Sequence, residues 1–193
     1  MRIGLVLAGG GGKGAYELGV WKALDELKLT KYITVFSGTS IGAFNSVLFA
    51  MNDMKKADEL WEEVTMDKLV PISKSELIKR GIGLYIGGKN LQLAKKFLNY
   101  KLEHGAIAND GAIEVVEKYL DFNKIKENNK ICYAACTKLS DFSAKYFKIN
   151  DFDEETGKKI VLASASLPLI YDCTEVLGEK YIDGGIADNI PIQ

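Results

Sequence analysis

The sequence predicts an α/β fold with one domain, residues 1–193. Residues 2–8 and 33–36 are short apolar runs typical of buried strands, and each is followed by a glycine-containing turn and then by a helical pattern. Strands that alternate with helices in this way indicate the α/β class and a mainly parallel sheet. A chain of 193 residues is long enough to bury most of the surface that its unfolded form would expose.

The composition is that of an ordinary soluble globular protein, with 47% hydrophobic and 26% charged residues. A net charge of −1 provides no strong electrostatic attraction to nucleic acid or to an anionic membrane, so we expect no nucleic-acid partner. Residues 3–7 form an apolar run that is too short for a signal peptide, and no run of about 18 apolar residues could span a bilayer. We therefore expect a cytoplasmic protein.

The cysteines indicate reduced thiols rather than disulfides or a metal site. Cys132, Cys136 and Cys173 are odd in number and lack zinc-type pairing, and the chain has one histidine. Cys132 and Cys136 are four residues apart in a strand-like run, so they share a face and are expected to be buried. We predict neither a metal ion nor an organic cofactor.

The segment Gly38-Thr39-Ser40-Ile41-Gly42 has the pattern of a nucleophile elbow. An apolar β-branched run precedes it, and a helical run, residues 43–51, follows it. In such a turn the two glycines let the chain pass closely, and the serine hydroxyl lies at the positive end of the helix. The pattern is short, and an ordinary strand-to-helix turn is the alternative. The rest of the chain favours Ser40 as a nucleophile, with Gly38 and Gly42 shaping the elbow.

A glycine-rich loop separates the first predicted strand from the first helix; it consists of Gly9, Gly10, Gly11, Gly12, Lys13 and Gly14. Such a loop costs conformational entropy and is expected where the backbone itself must approach a ligand or a reacting atom. A Walker A loop would need Ser or Thr after Lys13 and a glycine in place of Leu7. A dinucleotide loop fits the spacing of Gly9, Gly11 and Gly14, but the second strand ends without the carboxylate that would hold a ribose. An oxyanion hole, in which loop amides face a developing negative oxygen, explains this loop and the elbow together.

After the elbow the chain is mostly helical, and strands return in its last third. Helical patterns cover residues 48–64 in two stretches, 90–102, 109–120 and 153–163, and strand pairs with turn signals cover 131–149 and 175–182. A loop rich in glycine precedes residue 90. Its apolar residues Leu84, Tyr85 and Ile86 are candidates for an acyl-chain or membrane-facing lip, with packing under the loop as the alternative.

A serine hydroxyl needs a neighbouring base, and histidine is the usual one. The single histidine, His104, follows a helical pattern, where an imidazole favourably meets the negative end of a helix. We therefore predict a surface capping role for His104 and a carboxylate as the base. Asp183 is the main candidate because it ends a strand and is followed by Gly184 and Gly185, and burial would raise its pKa enough to make it a competent base. The nearby alternatives are Asp172 and Asp188.

Taken together, these features resemble the patatin-like phospholipase family, and in particular its bacterial serine acyl hydrolases. The motifs that carry the resemblance, in chain order, are the residue 9–14 loop with its basic Lys13, the residue 38–42 elbow, Ala163-Ser164 with Pro168, Asp183-Gly184-Gly185 and Asn189-Ile190-Pro191. Their order and spacing are similar to those of the family from residue 3 to residue 193.

The resemblance implies a three-layer α/β/α sandwich, a Ser40–Asp183 dyad without histidine, and hydrolysis of acyl esters of lipids. Asp183 is thus the candidate base both from the residues alone and from the resemblance. The family domain usually continues beyond the aspartate motif, whereas this chain ends at Gln193. We therefore expect a C-terminally truncated domain, in which an uncovered sheet edge would invite pairing with another chain.

The sequence thus predicts a lipid acyl hydrolase of the phospholipase A or lysophospholipase type. In this scheme Ser40 forms an acyl-enzyme, Asp183 accepts its proton, and amides of the residue 9–14 loop hold the oxyanion. The predicted partner is a lipid or phospholipid, with transient contact to a membrane surface. Lys13 orients the loop, faces an anionic headgroup or is simply solvated, and the sequence leaves these three open. The alternatives in function are an acyltransferase with the same serine and a non-catalytic lipid- or nucleotide-binding domain.

Overall fold

The computed structural model describes residues 2–64, 110–168 and 170–193, which form an open mixed sheet flanked by helices. The strands are β1 (Ile3–Leu7), β2 (Ile33–Thr39), β3 (Ile131–Lys138), β4 (Ala144–Lys148), β5 (Thr174–Val176) and β6 (Glu179–Asp183). The helices are α1 (Gly14–Glu26), α2 (Ile41–Ala50), α3 (Met54–Glu63), α4 (Asp110–Tyr119), α5 (Phe122–Glu127) and α6 (Glu154–Ser164). The predicted α/β fold class is confirmed.

The strand order in the described sheet is β1-β2-β3-β6-β5, with β4 paired to β3. β1, β2 and β3 are mutually parallel, β4 and β6 are antiparallel to β3, and β5 is antiparallel to β6. It follows that β1, β2, β3 and β5 all point in one direction. The parallel strands are joined through helices, as the alternation of strand and helix in the sequence predicts.

The ends of β2 and β6 meet on the same edge of β3. β2 pairs with β3 up to Thr39, which lies opposite Ala135, and β6 pairs with the next residue along, since Asp183 lies opposite Cys136. β4 pairs with residues of β3 that also pair with β2 and with β6, so β4 lies along the opposite edge of β3. Because β2 runs parallel to β3 and β6 runs antiparallel to it, the two strands approach each other end to end. This arrangement brings Ser40, the residue after Thr39, to Asp183.

Helix α2 lies at the centre of the core. Its residues 42–50 are all buried, and it packs on β1, β2 and β3 as well as on neighbouring helices. The ring of Trp21 from α1 stacks on Phe49, with ring centroids 5.1 Å apart, and meets the edge of Phe36 from β2 at 5.7 Å. A helix that is mostly apolar around its circumference is expected in a core position of this kind.

Aspartates begin three of the helices. Asp53, Asp121 and Asp153 are the N-caps of α3, α5 and α6, and each side chain accepts a hydrogen bond from a backbone N–H of the first turn. The helices predicted within residues 48–64, 109–120 and 153–163 are confirmed over their described parts. No element was predicted for residues 121–130, where α5 lies, although Asp121 is a residue type typical of a helix N-cap.

Both predicted strand pairs are antiparallel hairpins, β3 with β4 and β5 with β6. The tighter turn, Leu177-Gly178, has a positive φ at both residues, 52° and 79°, as a two-residue hairpin turn requires. Cys132 and Cys136 are free, buried thiols of β3, as expected, whereas Cys173 is half-buried.

Several predictions fall outside the described residues. They concern the helix at 90–102, the apolar Leu84, Tyr85 and Ile86, and His104. No helix within the described residues is both long enough and apolar enough to cross a membrane.

Gly184, which follows β6, has no room for a side chain: a Cβ there would lie 2.1 Å from the carbonyl oxygen of Ala135. We expect Gly184→Ala to destabilise the protein by about 3 kcal/mol, the upper end of the usual range for overpacking. The matched control is Gly19→Ala on α1, where a Cβ would meet nothing within 4 Å. This control should stabilise the protein by about 0.5–1 kcal/mol, because alanine favours helix. Urea unfolding measures both, and equal midpoints for the two variants would contradict the close contact.

Candidate active site

Ser40 occupies a strained turn between β2 and α2. Its backbone has φ 57° and ψ −125°, a conformation that non-glycine residues rarely adopt. As the N-cap of α2 it lies at the positive end of a buried helix, where negative charge is favoured. Strain of this kind persists only where the surrounding structure holds it in place, and it is common at functional sites.

Two glycines make the turn sterically feasible. A Cβ on Gly38 would lie 2.1 Å from the carbonyl oxygen of Gly42, and a Cβ on Gly42 would lie 2.3 Å from that of Leu7. Both distances are too short for any side chain. The glycines of the predicted elbow are therefore required so that β1, β2 and α2 can approach one another.

Ser164, the last residue of α6, holds the elbow from the other side. Its Oγ accepts a hydrogen bond from the backbone N–H of Ser40 at 2.9 Å and donates one to the carbonyl oxygen of Ala135 at 2.6 Å. The side chain is fully buried. From the sequence, Ser164 is recognised only as part of a family motif, because no local pattern indicates a contact with a residue 124 positions away.

Asp183 lies beside Ser40 and is 5% exposed. Its carboxylate accepts a hydrogen bond from the backbone N–H of Gly185 at 2.8 Å and faces the side chain of Ser40. Burial raises the pKa of Asp183, and its interactions with Ser40 and Gly185 lower the pKa by less, so the pKa lies above the usual aspartate value. The result is a serine hydroxyl beside a desolvated carboxylate that has a raised affinity for a proton.

Buried polar groups fix the backbone of Asp183. Its N–H donates to the carbonyl oxygen of Ser166 at 2.9 Å, and its carbonyl oxygen accepts from Oγ1 of Thr137 at 2.8 Å. The carboxylate of Asp188, an alternative base in the sequence analysis, is engaged elsewhere. It accepts from the hydroxyl of Tyr146 at 2.7 Å and from its own loop.

The residue 9–14 loop passes directly over Ser40. A Cβ on Gly9 would lie 3.2 Å from Cβ of Ser40 and 2.5 Å from Oδ1 of Asn189, so a side chain at this position would collide with the site. Gly9 also donates its N–H to the carbonyl oxygen of Asn189 at 3.3 Å, and the Asn189 side chain returns a hydrogen bond at 3.4 Å to the carbonyl of Gly9. No local sequence pattern predicts these two hydrogen bonds between residues 180 positions apart.

The amides of this loop divide into two groups. Those of Gly9, Lys13 and Gly14 are used within the fold, the last two by the short helical turn Gly11–Lys13. The remaining amides, of Gly10, Gly11 and Gly12, donate to no acceptor among the described residues. Gly11 has φ 56°, a conformation that favours glycine. Lys13 is exposed, and its aliphatic stem lies against Gly10.

Ser40 and Asp183 line a cavity of about 540 Å³ between α2, α3, α4 and α6. Asp183 is the one charged residue among the described residues that line it, and the other walls are mostly apolar, with Phe44, Leu60, Trp61, Val116 and Leu162 among them. No cluster of three or more potential metal ligands occurs in the described part of the chain. The cavity therefore suits an apolar chain attached to a group that meets Ser40.

Comparisons with known proteins identify relatives of this chain. A family model described as patatin-like phospholipase matches residues 5–193. Lysophospholipase nte1 of Aspergillus niger is 50% identical over 194 residues, and Lysophospholipase NTE1 of Kluyveromyces lactis is 27% identical over 204 residues. Each alignment covers 98% of this chain but 11% of the fungal protein, so the chain spans a small part of these relatives.

Among solved structures, VipD from Legionella pneumophila shares the fold. It superposes with a TM-score of 0.62 at 22% sequence identity, covering 100% of this chain and 47% of VipD.

Asp183→Asn tests the cost of the buried carboxylate. Because its pKa is raised in the folded protein, the folded state holds this proton more tightly than the unfolded state. Its contribution to stability therefore falls as pH rises from about 4, the usual aspartate pKa, through the raised value. We expect the stability of Asp183→Asn relative to wild type to increase across this window, as measured by urea unfolding between pH 4 and pH 8. An exposed control, Asp141→Asn, should show the opposite trend, because hydrogen bonds from Ser143 lower the pKa of Asp141, and an equal gain in both variants would contradict a specific cost at Asp183.

Proposed function

The chain belongs to the patatin-like phospholipase family, and we propose that it hydrolyses acyl esters of lipids with Ser40 as the nucleophile and Asp183 as the base. The observation that carries the proposal is that Ser40 and Asp183, a carboxylate that is 5% exposed, line one cavity where β2 and β6 end side by side on β3. The apolar cavity that both residues line supports a lipid substrate. The fungal relatives, which are named lysophospholipases, support the same reaction class.

In the first step the Ser40 oxygen attacks the ester carbonyl carbon while Asp183 accepts the hydroxyl proton. An exposed aspartate, with a pKa near 4, is a weak base at neutral pH. Burial raises the pKa of Asp183 and brings it nearer to the working pH, which favours proton transfer in the transition state. The turn at Ser40 presents its oxygen at the N-terminus of α2, where developing negative charge is stabilised.

The carbonyl oxygen becomes negative in the tetrahedral intermediate and needs donors. We assign this role to the amides of Gly10, Gly11 and Gly12, because the amides of Gly9, Lys13 and Gly14 are already used within the fold. Of the six loop residues predicted to form the oxyanion hole, residues 9–14, this assignment keeps the three at the centre. Removing one donor of an oxyanion hole typically costs about 10²–10³ in rate.

The intermediate collapses as its bond to the leaving alcohol breaks and Asp183 returns the proton to the alcohol oxygen. Ser40 is then acylated. A water molecule, deprotonated by Asp183, attacks the acyl carbonyl, and collapse of the second intermediate releases the fatty acid and regenerates the Ser40 hydroxyl. One carboxylate thus serves as base and acid in both halves of the reaction.

We propose a substrate with one long acyl chain, of the lysophospholipid type. The apolar cavity at Ser40 has a volume of about 540 Å³, and burying each methylene of one acyl chain in it is worth about 0.8 kcal/mol. An alcohol in place of water would make the same acyl-enzyme a transferase, and product analysis with and without added alcohol distinguishes the two. We predict that the protein acts in the cytoplasm and makes transient contact with a membrane surface.

Labelling with a long-chain alkyl fluorophosphonate tests the nucleophile and its base. Intact mass should show one adduct on wild type, none on Ser40→Ala, and labelling slowed by about 10²–10⁴ in Asp183→Asn, the usual contribution of a general base. The matched control is Ser46→Ala on the same helix. Ser46 is buried, and its Oγ has no hydrogen-bond partner among the described residues, so its removal breaks none of the bonds described and should leave labelling unchanged. An adduct on folded Ser40→Ala, or wild-type labelling in Asp183→Asn, would contradict the assignment.

Ala112→Phe tests the cavity as the acyl site. Ala112 of α4 lines it, and a phenyl ring there would displace part of an acyl chain. Loss of two methylenes from the site predicts a fall of about 10-fold in kcat/KM for long-chain esters. Butyrate esters should be hydrolysed at the wild-type rate. The control Ala23→Phe, on an exposed face of α1, should alter neither substrate. Equal loss on both ester lengths would argue against the cavity.

A further inference from the structure

Glu17 is a half-buried carboxylate of α1 that the proposed reaction does not use. Its Oε2 accepts a hydrogen bond from Nδ2 of Asn45 at 2.8 Å, and the carboxylate also faces the backbone N–H of Ala8. It forms no ion pair with a described residue. Burial raises the pKa of Glu17, and these two contacts oppose that rise.

Asn45 of α2 completes the network and is fully buried. Besides its bond to Glu17, Nδ2 donates to the carbonyl oxygen of Gly14 at 3.1 Å, and Oδ1 accepts from Nε1 of Trp61 at 3.2 Å. Both of its amide hydrogens and its oxygen are thus engaged. A network in which every member is satisfied rigidifies what it connects.

The network holds both ends of the glycine-rich loop. Ala8 immediately precedes Gly9, and Gly14 immediately follows Lys13, so one pair of side chains fixes the chain where it enters and where it leaves the loop. The entry to α1 is also packed closely, since a Cβ on Gly14 would lie 2.6 Å from the side chains of Ile41 and Trp61. Between these points the loop is nearly all glycine and has little rigidity of its own.

We propose that Glu17 is a positioning residue for the oxyanion donors: through Ala8 and Asn45 it fixes the amides of Gly10 to Gly12 relative to Ser40. The inference rests on the proposed function, in which those amides bind the oxyanion. Burying the Glu17 carboxylate costs free energy, and no cation among the described residues compensates for it. A neutral or apolar residue would support simple helix packing equally well, so the carboxylate fits a positioning role.

The variant Glu17→Gln keeps the shape of the side chain but has a single acceptor oxygen, and its amide group faces one of the two N–H donors. The loop is then released at one end while α1 stays in place. The matched control, Glu26→Gln, removes the same charge from the exposed end of the same helix. A shorter side chain in Glu17→Asp keeps the charge but loses the reach to both donors, and it carries the test if Glu17→Gln does not fold.

The readout separates oxyanion binding from filling of the cavity. A long-chain alkyl trifluoromethyl ketone adds to Ser40 and places a negative oxygen at the loop, whereas the corresponding secondary alcohol fills the acyl cavity without one. We expect Glu17→Gln to lower kcat for a single-chain ester by about 10–100-fold, the effect of misplacing a group by up to about 1 Å. KM should stay within about twofold of the wild-type value, because the lost interaction is one that forms only in the transition state. Inhibition by the ketone should weaken in parallel with kcat, inhibition by the alcohol should be unchanged, and Glu26→Gln should match wild type.

Two results would overturn the inference: wild-type kcat in a folded Glu17→Gln or Glu17→Asp variant, or equal weakening of the ketone and the alcohol, which indicates packing alone. Ser40→Ala in the same series keeps the two proposals distinct. If Ser40→Ala abolishes turnover while Glu17→Gln does not lower it, the inference fails and the proposed function stands. If Ser40→Ala turns over like wild type, the proposed function itself fails.

Discussion

The geometry of the site depends on the pairing of two strands with one edge of β3. β2 ends opposite Ala135 and β6 ends opposite Cys136, so the two strands share that edge without overlapping. The chain leaves the sheet where β2 ends and again where β6 ends, and these two points lie opposite neighbouring residues of β3. The turn into α2 and the turn after Asp183 are therefore neighbours, and a hydroxyl on one meets a carboxylate on the other. Ordinary main-chain hydrogen bonds thereby set the distance between two side chains 143 residues apart in sequence.

The same crowding explains the glycines and the burial of Asp183. Gly38, Gly42 and Gly184 all lie where a Cβ would fall within 2.3 Å of a backbone oxygen. Such close packing removes water from the junction, which raises the pKa of Asp183. A group tuned in this way costs stability where it is ionised, so the feature that makes the carboxylate a better base also makes the fold less stable.

Much of this could be predicted from local sequence. The strands, most helices and both hairpins follow from apolar periodicity and turn residues, and the elbow follows from a serine between glycines after a strand. Helix α5 was missed although Asp121 marks its start. The roles of Ser164 and Asn189 were not predicted, because each acts through a contact across more than 100 positions, and no local pattern encodes such a contact. Likewise, only the backbone geometry distinguishes the loop amides that the fold uses from those it leaves free.

By itself, the sequence determined the fold class, the family resemblance and the residue types of the candidate site, because these depend on composition and spacing along the chain. It also indicated a carboxylate rather than a histidine as the partner of Ser40. The tertiary structure decided which carboxylate meets Ser40, how buried it is, and which side chains hold the glycine-rich loop. Those properties depend on strand register and on the exclusion of water, which arise only when distant segments pack together.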